Sequence, residues 1–244
     1  MELSEIGATP QVEIGGVVVN VATLASSALA GALVVGCGLW ARRQSRRSSP
    51  SGLVLAWEAT IAAVESRLGP AVGSAGRRAV PLAISLFGFI LVANWAHLIP
   101  GWPLPAPTAD LNLALALAAV VVASVHVTSL RARGWRGYLA HYARPYPWML
   151  PLNMLEELAR PLSLALRLYG TMFAGGLMVL LIGELLPAYL SPLPHAAWSV
   201  FEVAAGAMQA LIFSLLTVLY HQAALGSDRA ARAEPIPNKE LLVQ

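Results

Sequence analysis

Five stretches of this chain contain no Asp, Glu, Lys or Arg: residues 14–41, 79–109, 111–130, 168–183 and 203–227. A helix that crosses a bilayer needs about 20 predominantly apolar residues. The first, second, third and fifth stretches meet that length unaided. The fourth meets it only by including residues 162–167, which puts Arg167 inside the apolar layer. Only 12% of the residues are charged, against roughly 25% in soluble domains. That figure excludes a water-soluble enzyme, and with it the disordered, collagen-like and disulfide-scaffold classes. The single cysteine, Cys37, allows no intrachain disulfide and no cysteine-based metal site.

The basic residues are placed asymmetrically. Arg42, Arg43, Arg46 and Arg47 follow the first stretch, and Arg67, Arg77 and Arg78 precede the second. Arg131, Arg133, Arg136, Arg144 and Arg160 lie between the third and fourth, and Arg229, Arg232 and Lys239 follow the fifth. The segments 1–13, 100–110 and 187–199 hold no Lys or Arg. By the positive-inside rule the N-terminus is outside, the chain crosses five times, and the C-terminus is cytoplasmic. Glu2, Glu5 and Glu13 are the reverse of a secretory signal, so the first stretch is expected to stay as a helix.

The expected fold is an all-α membrane protein, one integral domain over 1–244. It comprises an outside tail (1–13), a first span (14–41), a cytoplasmic loop (42–78), a second span (79–100) and an outside loop (101–110). A third span (111–130), a cytoplasmic loop (131–151), a long helix (152–186), a last helix (194–225) and a cytoplasmic tail (226–244) complete it. Within the first loop, residues 53–68 mix apolar positions with Trp57, Glu58, Glu65 and Arg67, the pattern of an amphipathic interfacial helix. Trp135, Tyr138, Tyr142, Tyr146 and Trp148 suit the headgroup zone. Set between two spans, that basic and aromatic run does not point to nucleic acid. Pro187, Pro192 and Pro194 separate the last two helices into a hairpin with its turn outside.

Arg167 is the one base outside the cytoplasmic clusters. An arginine deep in a bilayer costs about 2.5–3.5 kcal/mol on insertion scales, and its guanidinium cannot shed its charge. It therefore needs a partner or a wet cavity, unless it snorkels to the surface from about 10 Å below Arg160. Ser163, Gly170, Thr171 and Ala174 fall within about 60° of it around the helix, so the arginine lies on a face of small residues that another helix can approach. In the last helix Glu202, Gly206, Gln209, Phe213 and Tyr220 recur at helical spacing. Taken alone, Gln209 reads as interhelical glue or a path-lining group, and Glu202 as a solvated or a path-lining acid.

The run Leu152-Asn-Met-Leu-Glu-Glu-Leu-Ala-Arg-Pro-Leu-Ser-Leu-Ala-Leu-Arg-Leu-Tyr-Gly-Thr-Met-Phe-Ala-Gly-Gly resembles the signature of subunit a of F-type ATP synthases. Phe201-Glu-Val-Ala-Ala-Gly-Ala-Met-Gln-Ala-Leu-Ile-Phe, Ala109-Asp-Leu-Asn, Asn94-Trp95 and Leu98-Ile99-Pro100 are similar to other segments of that family. By this resemblance Arg167 is the stator arginine, Glu202 the acidic or histidine position of the outer half-channel, and Gln209 the glutamine facing the arginine helix. Two positions depart from the pattern. Thr171 stands where Asn is usual and Gly176 where Glu or His is frequent, which leaves Glu202 as a lone channel carboxylate and suits a divergent or alternative-operon member.

The resemblance implies an ion-translocating stator in the bacterial inner membrane, with two offset half-channels and a long tilted hairpin against a c-ring of small two-helix subunits. It also implies peripheral-stalk b-type subunits and a transported H⁺ or Na⁺. Ions would enter past Glu202, with Asp110, Asn112 and His195 near the mouth, and leave near Glu156 and Glu157; Ser163 and Thr171 flank Arg167. Glu184 is better read as solvated at the outer surface, and His126 as a helix–helix hydrogen bonder rather than a proton shuttle. His97, His141 and His221 sit near membrane edges. No HExxH motif or P-loop occurs, so no metal, cofactor or catalytic residue is expected, and the chain is not an enzyme on its own. The competing reading is a self-contained secondary transporter whose arginine binds an anion, although no internal repeat is visible.

Overall fold

The computed structural model describes residues 11–14, 17–44, 79–96, 98, 106–142, 148 and 150–233, with isolated positions at 52, 55 and 62. Five helices dominate: α1 (Val21–Gln44), α2 (Val80–Ala96), α3 (Leu111–Tyr142), α4 (Leu150–Leu185) and α5 (Pro192–Ala233). Four contain segments long and apolar enough to cross a membrane: Val21–Trp40, Leu111–Tyr138, Pro151–Leu185 and Pro192–Ala224. The second span, expected over 79–100, is a helix of 17 residues. At 1.5 Å per residue it covers about 26 Å, a little less than the roughly 30 Å hydrocarbon layer. The amphipathic helix expected at 53–68 lies outside the described residues, isolated positions apart.

The first span begins later than residue 14, and the described chain is not wholly α. Strands β1 (Gln11–Ile14) and β2 (Val17–Asn20) pair antiparallel, with Ile14 opposite Val17 and Gln11 opposite Asn20. The β-branched residues of 17–19 favour a strand. Helix α1 takes over at Val21, with the Asn20 side chain accepting from the Thr23 N–H at 3.5 Å.

Helix α3 runs past residue 130, where its charge-free stretch ends, to Tyr142, but it breaks at Gly134 (φ 70°, ψ 169°). Only glycine adopts that backbone readily. Tyr138 Oη reaches His126 Nδ1 at 3.1 Å, although twelve residues of straight helix would separate them by about 18 Å. The chain therefore folds back beyond Gly134.

Helices α4 and α5 have 36 and 42 residues, about 54 and 63 Å. Both exceed the membrane thickness and require tilt or protrusion. The turn between them is closed by Leu190 and Ser191 N–H groups donating to the Pro187 carbonyl at 2.8 and 3.0 Å. Pro192 and Pro194 open α5 rather than interrupt it, because first-turn N–H groups lack helical partners anyway.

The core lies among α2, α3, α4 and α5. Ala83, Leu86, Phe87 and Ile90 meet Ala114, Ala118, Val121, Leu164, Ala165, Leu168, Ala210, Phe213 and Val218. Small residues at this seam let helices come close. The large apolar side chains Leu24, Val35, Leu39, Val120, Leu155, Leu158 and Met208 point outward. A water-soluble bundle would reverse that arrangement; lipid rewards it.

Candidate functional site

Arg167 lies midway along α4, with its side chain on the outer surface of the bundle. Ser163, Gly170, Thr171 and Ala174 are exposed beside it, while Leu164, Ala165, Leu168 and Met172 turn into the core. The helical spacing thus yields an open face of small residues with one guanidinium on it. Among the described residues no carboxylate pairs with Arg167. The Thr171 hydroxyl is turned back onto its own helix, within 3.0 Å of the Leu168 carbonyl and 3.1 Å of the Arg167 carbonyl. This is the local bonding habit of threonine inside helices.

Glu202 is only 6% exposed, although it sits in an apolar stretch of α5. Its carboxylate fills a notch on α4 at Gly175, where any Cβ would overlap it. Trp198, one turn earlier on α5, donates from Nε1 to the Gly175 carbonyl at 3.2 Å. Gly175 and Trp198 carried no individual weight in the sequence; the Gly175-Gly176 pair in an apolar run was the only available signal. Nothing lies within 4 Å of a Cβ at Gly176.

A second polar seam joins α2 to the same stretch of α5. Asn94 is buried, donates from Nδ2 to the Gly206 carbonyl at 3.4 Å, and accepts from Thr108 Oγ1 at 2.6 Å. Trp95 Nε1 donates to the Val203 carbonyl at 3.0 Å. Gly206 permits this approach, since a Cβ there would come within 3.1 Å of Asn94 Cβ. Gln209, one turn further on, is 3% exposed, and its Nε2 has no hydrogen-bond partner among the described residues. A buried amide without a partner costs roughly 1–3 kcal/mol.

Asp110 closes the start of α3. Its Oδ1 accepts the Asn112 N–H at 2.9 Å, and its Oδ2 accepts Thr23 Oγ1 of α1 at 2.9 Å. It acts as a helix cap and an inter-helix tie, and Asn112 stays exposed beside it. His195 is exposed near the start of α5.

Toward the other end of α4, Glu156 pairs with Arg160 at 2.6 Å, and Glu157 lies 4.0 Å from Arg160 and 3.8 Å from His126 Nε2. Arg160 also stands over the Tyr220 ring of α5, 5.9 Å from its centre. Glu157 and Gly175 are 18 residues apart, five full turns, so they share one strip of α4 about 80° around from Arg167. Along the axis Arg167 lies between them, about 15 Å from Glu157 and about 12 Å from Gly175. Glu202 at Gly175 and Glu157 therefore flank the arginine at different depths. Among the described residues no cluster of His, Cys, Asp and Glu is arranged to hold a metal ion.

Comparison with known proteins gives a consistent result. The family model for the ATP synthase A chain matches residues 24–222. The ATP synthase subunit a of Acidothermus cellulolyticus is 42% identical over 203 residues, covering 82% of this chain and 74% of that one. The Mycobacterium leprae ATP synthase subunit a is 34% identical over 236 residues, covering 88% and 94%. That of Moorella thermoacetica is 39% identical over 149 residues, covering 61% and 66%.

Proposed function

The chain belongs to the ATP synthase A chain family, and from that premise we propose that it is the ion-translocating stator of the membrane sector of a rotary F-type ATP synthase. Its exposed Arg167 face turns toward a c-ring, each small subunit of which carries one carboxyl group. A charged carboxylate is costly against lipid, so each group rides neutral. Beside the guanidinium the ionised form is favoured, and the bound ion is released. The same fixed charge repels free cations and blocks a direct leak between the two half-channels.

The observation that carries this reading is the placement of two carboxylates, Glu202 and Glu157, at different depths on either side of Arg167. Ions enter from the outside along Glu202 and Gln209, past a rim holding Asp110, Asn112 and His195. They leave on the cytoplasmic side near Glu156 and Glu157. Ser163 and Thr171 keep the arginine face small enough for the ring to approach. A membrane potential supplies about 2.3 kcal/mol per charge per 100 mV, so several ions must pass for each ATP. The membrane position is that of a bacterial inner-membrane subunit with five crossings, the N-terminus outside and the C-terminus inside. Peripheral-stalk b-type subunits hold it against the turning ring.

The test is Arg167→Ala in the assembled complex in vesicles. ATP-driven ion pumping and ion-driven synthesis are expected to disappear while the subunit still co-purifies with the ring. Coupled pumping at the normal rate in this variant would overturn the reading.

A further inference from the structure

Where α3, α4 and α5 meet, below the level of Arg167, they form a partly open cavity of about 240 Å³. Its polar wall is formed by His126, Ser129, Tyr138, Glu157 and Arg160. Water occupies about 30 Å³ per molecule in the liquid, so several waters fit, with polar partners along the wall that these five side chains form. His126, expected from the sequence to bond between helices rather than carry protons, is the hinge of the group. Its Nδ1 lies 3.1 Å from Tyr138 Oη and its Nε2 lies 3.8 Å from Glu157 Oε1. Tyr138 reaches this position only because the chain reverses at Gly134. Pro161, inside α4, has no N–H to give the Glu157 carbonyl, which leaves a further acceptor near the wall.

We propose that the ion leaving the stator is a proton that passes through this cavity, with Glu157 and His126 as its accepting pair and Tyr138 orienting the imidazole. The proposal rests on the stator reading above and deepens it. With Nδ1–H donating to Tyr138 Oη, the Nε2 lone pair faces Glu157. A proton shed near Arg167 crosses the cavity water and forms an O–H bond on the Glu157 carboxylate. That bond breaks as an N–H bond forms at Nε2, across one water or a small side-chain shift. The imidazolium then loses the proton to water on its half-exposed side, and the pair returns to its starting state. An imidazole can take up a proton at one ring nitrogen and give it up again without leaving its place, which a release step needs.

The surrounding charges favour H⁺ over Na⁺. A hard cation wants a shell of oxygens, whereas Arg160 adds a positive charge to this wall and His126 adds ring nitrogens. Arg160 is itself balanced by Glu156 and stacked over Tyr220. Arg133 spends a hydrogen bond on the Ala224 carbonyl behind the wall. His221 faces away, held by Ser124 Oγ at 3.1 Å and the Thr217 carbonyl at 2.8 Å.

The experiment is passive proton conduction through the membrane sector, stripped of its soluble head, in vesicles with the release-side pH varied from 6 to 8.5. His126→Ala is expected to lower conduction at least about tenfold, as loss of a proton-transfer group does, with the profile losing its dependence on release-side pH around neutrality. Added imidazole, small enough for the vacated space, should restore the rate. Tyr138→Phe should keep conduction but shift the profile. If His126→Ala blocks assembly, His126→Asn is read the same way, since it retains a polar partner for Tyr138 but takes up no proton. Wild-type conduction at every pH in the variant, a loss that imidazole does not restore, or transport of Na⁺ in place of H⁺ would each overturn the proposal. Failure of the stator reading would show separately, as coupled pumping that survives Arg167→Ala.

Discussion

Glu202 keeps its carboxylate out of lipid by occupying the space that Gly175 leaves on the facing helix. Gly175→Ala should therefore expel the carboxylate or push the helices apart, lowering ATP-driven pumping several-fold. Gly176→Ala, with nothing within 4 Å of the added methyl, should pump like the parent; initial rates of vesicle acidification compare the two. Equal rates would remove Gly175 from the path. Arg167 was legible in the sequence because a guanidinium among leucines must snorkel, find a partner or line a wet cavity. Gly175 was not, because Gly170, Gly175, Gly176 and Gly183 look alike until a second helix selects one. The contacts of Asn94 and Tyr138 were hidden for the same reason: their partners lie on other segments or beyond a chain reversal.

At the level of elements, the charge-free runs located the helices but misplaced their ends. Arg131 does not stop α3, since a helix continues readily into the headgroup zone; the chain breaks at Gly134 and is helical again to Tyr142. At the other end, Asp110 both caps α3 and ties it to Thr23 of α1. Asp110→Ala should cost about 1 kcal/mol for the lost cap. The expected outcome is a lower melting temperature of the detergent-solubilised complex, with Thr23→Ala giving part of the same loss. An unchanged midpoint would mean that this tie is not stabilising. The hairpin β1–β2 escaped notice because Val17–Asn20 is as apolar as the helix it precedes, and hydropathy alone does not distinguish strand from span.

At the scale of the molecule, large apolar side chains cover the outside and the small-residue seams lie inside, so the bundle is finished toward lipid but open along the Arg167 face. Ser163→Cys and Ala174→Cys, in a background with Cys37 replaced by Ser, should cross-link to cysteines on the outer helix of the ring. Ala165→Cys, fully buried, should not. Cross-linking from position 165 alone would reverse the docking face. The sequence by itself determined the solvent, the helices and the one misplaced charge, because transfer of charge and apolar surface into lipid depends on composition along a single segment. Which glycine receives Glu202, which helix Asp110 ties to α3, and how His126 comes to stand between Tyr138 and Glu157 were decided by the tertiary structure alone. Each depends on the distance between segments far apart in the chain, a quantity that no local pattern encodes.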